Sequence, residues 1–112
     1  MDCRISVGDK MKNKYEHISK MEDIMVKQEK DIKDLTDILN KIKNSDKEYK
    51  KLFDYYYSEQ REKDLEDEEK HLIPENINRG VLSEDEVYNL ILDTHDTALE
   101  MIEVALDLLK KY

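Results

Sequence analysis

Glu68 and His71 have the Glu-x-x-His spacing that puts a carboxylate and an imidazole on one helical face, the arrangement used by carboxylate-bridged metal sites. Such a site needs a second copy of the motif and two further glutamates. Asp93, His95 and Asp96 do not supply them, so no metal is expected. The acid run from Asp64 to Glu69 lacks the glycine and the alternating oxygen ligands of an EF-hand loop. Serine, histidine and aspartate are all present, but no glycine-framed nucleophile and no phosphate-cradling glycine loop accompanies them. The chemistry expected of this chain is therefore binding rather than catalysis, with no catalytic residues and no cofactor.

Charge says more about partners. Residues 54–112 hold 17 acids against 6 bases, whereas residues 1–53 hold 11 acids against 13 bases. Between Gly80 and Leu109 there are eight acids and no Lys or Arg. Affinity for phosphates comes mainly from Lys and Arg, so this half should not bind nucleic acid directly. A one-sided acidic face instead attracts basic surfaces.

The elements that must carry these residues are helical. Two glycines and one proline in 112 residues leave little material for hairpins, and charged helix formers fill the rest. The length suits one small domain. With one cysteine, Cys3, there is no internal disulfide or cysteine-based zinc site; with no charged-then-apolar leader and no membrane-length apolar run, the chain reads as cytoplasmic. Residues 1–10 lack periodicity and read as a flexible arm, with residues 11–112 the single helical domain.

From there Ile18, Met21, Met25, Gln28, Ile32, Leu35, Leu39 and Ile42 alternate spacings of three and four, the seam of a coiled coil or of a long antiparallel helix. Gln28 is its one polar member. Ser45 with Glu48 matches a capping box, yet the heptad phase continues to Tyr49, Phe53 and Tyr56, so one bent helix and two helices are both open. Glu59 to Lys70 reads as a short solvated helix or an irregular segment, and Pro74 to Gly80 as a loop. Ser83 is an N-cap with Glu84, Asp85 and Glu86 in the first turn. The apolar stripe from Val87 to Leu109 then makes an amphipathic C-terminal helix. The expected architecture is an all-α bundle in which the long N-terminal helix packs antiparallel against the C-terminal one, with a short acidic helix between.

Candidate binding residues follow from this placement. Tyr55, Tyr56 and Tyr57 crowd beside Phe53, and tyrosine supplies contact area at low entropy cost. Consecutive aromatics cannot share one face, so some pack between helices and at least one stays on the surface. Asp93, Asp96, Glu100 and Glu103 form the acidic strip of the last helix. Arg79, just before the turn at Gly80, could clamp the acidic first turn of its own helix or meet a partner, as could Tyr88.

From Tyr55 onward the order of features resembles a family of small, uncharacterised helical proteins of Gram-positive bacteria and their mobile elements. The resemblance rests on Tyr56-Tyr57, the acidic Glu59 to Glu69 stretch, Leu72 before Pro74, and above all Arg79-Gly80-Val81-Leu82-Ser83-Glu84-Asp85 followed by Tyr88-Asn89-Leu90. It covers most of residues 15–109. It implies a helical fold and lends no catalytic residue. The base-free acidic strip of the C-terminal half leads to the first expectation: an acidic helical inhibitor, anti-CRISPR-like and a possible DNA mimic, occupying a basic surface of a nucleic-acid-binding effector such as a CRISPR nuclease. The alternative is a structural or adaptor module acting through homodimerisation.

Overall fold

Among the described residues the chain forms three α-helices and one short 3-10 turn: α1 Asp2–Tyr56, α2 Glu59–Glu69, the turn Gly80–Leu82, and α3 Glu86–Lys111. This computed structural model describes residues 2–112, with side chains from residue 13 onward; the arm expected at residues 1–10, and Cys3 in it, lies outside the residues described in full. No strand occurs among the described residues, and the class is all-α. The chain divides into two units, residues 1–45 and 46–112.

The first unit is α1 up to Ser45. No glycine or proline occurs between Asp9 and Ile73, so nothing in the sequence interrupts the helix. Its exposed ion pairs, Glu16–Lys20 at 3.8 Å and Lys30–Asp34 at 3.1 Å, contribute only about 0.3–0.5 kcal/mol each. The two open readings at Ser45 are resolved in favour of one helix. The Ser45 hydroxyl donates back to the Ile42 carbonyl at 3.4 Å instead of capping a new start, and α1 continues to Tyr56.

The second unit turns a tight corner at Ser58. Its hydroxyl donates to the Tyr55 carbonyl at 2.6 Å and accepts from the Arg61 N–H at 3.2 Å, so one side chain closes α1 and caps α2. Glu59 and Glu62 sit in the first turn, where the helix dipole favours them. The far end of α2 is a Schellman cap: the His71 N–H reaches Glu68 O and the Leu72 N–H reaches Asp67 O, both within 3.1 Å. His71 takes φ 58°, the left-handed conformation glycine would adopt without strain. His71→Gly should therefore raise the unfolding free energy by about 0.5–1 kcal/mol, read as a shifted denaturant midpoint at unchanged slope. A lower midpoint would show that the imidazole makes a contact worth more than the strain.

A second serine leads into α3. The Glu86 N–H donates to the Ser83 hydroxyl at 3.0 Å, but Ser83 lies outside the helix: α3 begins at Glu86 with Asp85 as its N-cap residue, so of the three acids expected in the first turn only Glu86 is there. Gly80 opens the 3-10 turn with a φ that is not positive, and a Cβ there would lie 2.6 Å from the Glu86 carboxylate, the end of a flexible side chain that can move aside. Val87 is the one buried apolar residue among those described, 5% exposed, beside a cleft lined by Leu52, Val81 and Leu90.

Candidate functional site

Side chains of α2 that look merely acidic and solvated in the sequence converge on one face. Ser58, Arg61, Asp64, Leu65 and Glu68 recur at helical spacing, and all are half-buried. Three polar clusters stand along this face.

In the first, the Tyr55 hydroxyl donates to Asp64 Oδ2 at 2.6 Å, and the Gln60 amide donates to Oδ1 at 2.9 Å. Burial, and then the bond to Asp64, push the Tyr55 phenol up to about 12. The bonds from Tyr55 and then Gln60 hold the Asp64 carboxyl below its ordinary value. A phenol this reluctant to ionise is no general base near neutrality, and its proton is committed to Asp64.

The sign of each shift sets a pH dependence. The depressed Asp64 gives stability that is present above about pH 4 and lost as pH falls through its folded value. The raised Tyr55 gives stability that is present below about pH 10 and lost as pH rises toward 12. The advantage of wild type over Tyr55→Phe in denaturant midpoint should be greatest between these limits, shrink as Asp64 is protonated, and fall away or reverse as Tyr55 ionises beside the Asp64 carboxylate. Parallel curves through both limbs would show that the pair is not what couples folding to pH.

In the second cluster, Arg61 crosses to the segment before α3. Its Nε donates to Val81 O and its Nη2 to Ser83 O, each at 3.2 Å, while the guanidinium stacks 4.6 Å over the Tyr56 ring. In the third, Arg79 Nη2 donates to Ile73 O at 2.7 Å and to Pro74 O at 2.9 Å, and Arg79 Nε lies 2.8 Å from Glu68 Oε2. That last contact is an ion pair without hydrogen-bond alignment, formed by two atoms hidden from solvent. Arg79 thus clamps the loop to α2, not the first turn of its own helix. The same contacts dispose of the Glu-x-x-His pattern, since α2 ends at Glu69, His71 is in the cap and Glu68 belongs to Arg79. Among the described residues no group of three potential ligands is placed to hold a metal ion.

The structure distributes the candidate binding residues. Tyr55, Tyr56 and Arg79 are half-buried in these clusters. Tyr57 stays 66% exposed, edge-on to Phe53 at 5.1 Å and to Tyr56 at 4.9 Å. Tyr88 is 47% exposed on α3. Asp93, Asp96, Glu100 and Glu103 are exposed along a single line of α3, which Asp107 extends. Asp107 pairs with Lys111 at 2.9 Å, and Asp96 lies 3.6 Å from the His95 imidazole.

Sequence reasoning passed over Arg61 and Asp64, and also Leu92, Leu99 and Leu106. These three leucines are 43–52% exposed, lie outside the wide apolar stripe and run beside the acidic line. Their seven-residue spacing was the available signal.

The fold and this site define an all-α protein whose polar clusters serve to hold helices and loop together, with its free apolar and acidic surface on α1 and α3. The chain belongs to the family described as Domain of unknown function (DUF4298), whose profile matches residues 18–104. No curated protein and no solved structure matches it. No helix is long and apolar enough to cross a membrane among the described residues.

Proposed function

We propose that this is a non-enzymatic binding protein that seats the outer face of α3 on a basic surface of a nucleic-acid-binding protein and so inhibits it. The supporting observation is the line Asp93, Asp96, Glu100, Glu103 and Asp107, exposed on one helix with Leu92, Leu99 and Leu106 running alongside. Steps of three and four residues set these carboxylates about 5 Å apart along the axis. One DNA strand spaces its phosphates by about 3.4 Å, so the line offers a comparable, sparser row of negative charge. Charge of this kind steers association and fixes register, and the leucines provide the desolvated contact that charge alone does not. Inhibition of a CRISPR nuclease is the particular form of this reading.

The test is capture from a bacterial lysate by the full chain, with duplex DNA added as competitor. Nucleic-acid-binding proteins should be retained at low salt, released by DNA, and lost when Asp93, Asp96, Glu100 and Glu103 are changed together to lysine in a variant that keeps its helical circular dichroism. Retention that survives both the DNA and the charge reversal removes the proposal.

A further inference from the structure

The seam of α1 is a second surface, separate from the outer face of α3. Ile18, Met21, Met25, Ile32, Leu35 and Ile42 each stand 46–58% exposed, and Ile24 and Ile38 flank them at 60% and 52%. Met21, Ile24, Met25, Gln28 and Ile32 outline a shallow groove. A helix on its own gains nothing from an apolar stripe, because helical stability in water comes mostly from packing that stripe. We propose that residues 18–42 pair with the same residues of a second copy of this chain as a parallel, in-register, two-stranded coiled coil, its register set by Gln28 facing the Gln28 of that copy.

Four observations select this occupant. The spacing places Ile18, Met25, Ile32 and Leu39 at the first core position of each heptad and Met21, Gln28, Leu35 and Ile42 at the second; Ile32 with Leu35 favours two parallel strands and Leu39 with Ile42 is the reverse, so the choice rests on Gln28 and the flanking charges. Gln28 can satisfy its amide against an identical amide in the same layer. An antiparallel pairing that keeps the seam continuous would set Gln28 against Ile32 instead, stranding that amide in an apolar layer.

The flanking charges agree. In the parallel register His17 faces Glu22, Ile24 faces Glu29, Asp31 faces Thr36 and Ile38 faces Lys43, with no like-charge pair. The antiparallel register would bring Asp31 against Asp31 and Glu29 against Glu29. Residues 18–42 carry five lysines and six acids, so two copies approach without the repulsion that the base-free α3 strip would impose. The area also suffices: the open halves of the eight apolar side chains sum to roughly 700 Å², close to the ~800 Å² per partner of a standard interface.

The experiment is sedimentation equilibrium of the full chain, together with mild oxidation of a Cys3→Ser, Met21→Cys variant that keeps Gln28. The wild type should show twice its 13.4 kDa mass and a melting temperature that rises with concentration. The cysteine variant should form a covalent dimer across the single seam layer. Ile32→Lys with Leu35→Lys should weaken dimerisation roughly 100-fold or more while the tyrosine near-ultraviolet dichroism of residues 46–112 persists. A monomer mass at every concentration, or a dimer that Met21→Cys fails to cross-link, overturns the proposal. Neither outcome bears on the α3 surface, which DNA competition tests by itself.

Discussion

Arg79→Ala should lower the unfolding free energy by about 2 kcal/mol, because three contacts end at once, the ion pair counting for little where the Arg79 and Glu68 side chains are 31% and 38% exposed. The guanidinium donates to the carbonyls of Ile73 and Pro74 and stands 2.8 Å from Glu68 Oε2. Without it the Glu68 carboxylate, 38% exposed already, turns to water, and the loop between α2 and the 3-10 turn loses its tie to α2. The loop should then become a preferred site of limited proteolysis, since cleavage follows the population of the open form. Arg79→Lys keeps the charge without the planar fork and should recover less than half of the loss. Glu68→Gln combined with Arg79→Ala should cost less than the two single changes added together. An Arg79→Ala protein within about 0.5 kcal/mol of wild type would mean that water replaces the clamp without penalty.

Arg61→Ala is the second large effect, expected at about 2 kcal/mol. Here one side chain bridges α2 to the two carbonyls ahead of α3, Val81 O and Ser83 O, and covers the Tyr56 ring. The carbonyls can turn to solvent and the guanidinium is half-buried, which holds the loss below that of a buried pair. The exposed tyrosine environment should change as well, because Tyr56 stacks edge-on against Tyr57 at 4.9 Å. Near-ultraviolet circular dichroism alongside denaturant unfolding separates the two consequences. An unchanged aromatic spectrum would remove the stacking part of the argument, and an unchanged midpoint would remove the bridge.

What was legible in the residues was whatever is written at short range. Helical periods of three and four marked α1 and α3, the scarcity of glycine and proline left little for hairpins, and Ser83 announced the start of α3 two residues ahead of its N-cap residue Asp85. Each of these depends on neighbours within a turn or two of helix, where type and spacing suffice. Ser45 shows the limit even at that range. Its hydroxyl had two local roles of similar worth, accepting from an N–H as a cap or donating to the Ile42 carbonyl, and the continuous heptad phase on both sides decided for the second.

The corner at Ser58 was missed for the opposite reason, since a serine followed by Glu59 looked like one more polar residue in a charged run. His71 was read by its chemistry, whereas the structure uses its backbone, one of the few non-glycine residues that close a helix in the left-handed conformation. The roles of Arg61, Asp64, Glu68 and Arg79 depend on partners up to 22 residues away along the chain. Spacing cannot report such pairings, because they exist only once the Ser58 corner and the His71 cap have fixed the path of the backbone. The sequence by itself determined the helices, the acidic line of α3 and the apolar seam of α1. The tertiary structure decided which charges are consumed inside the fold and which remain on its surface. A carboxylate held by Tyr55 or Arg79 is no longer available to a partner, whereas the unpaired carboxylates of Asp93, Glu100 and Glu103 are.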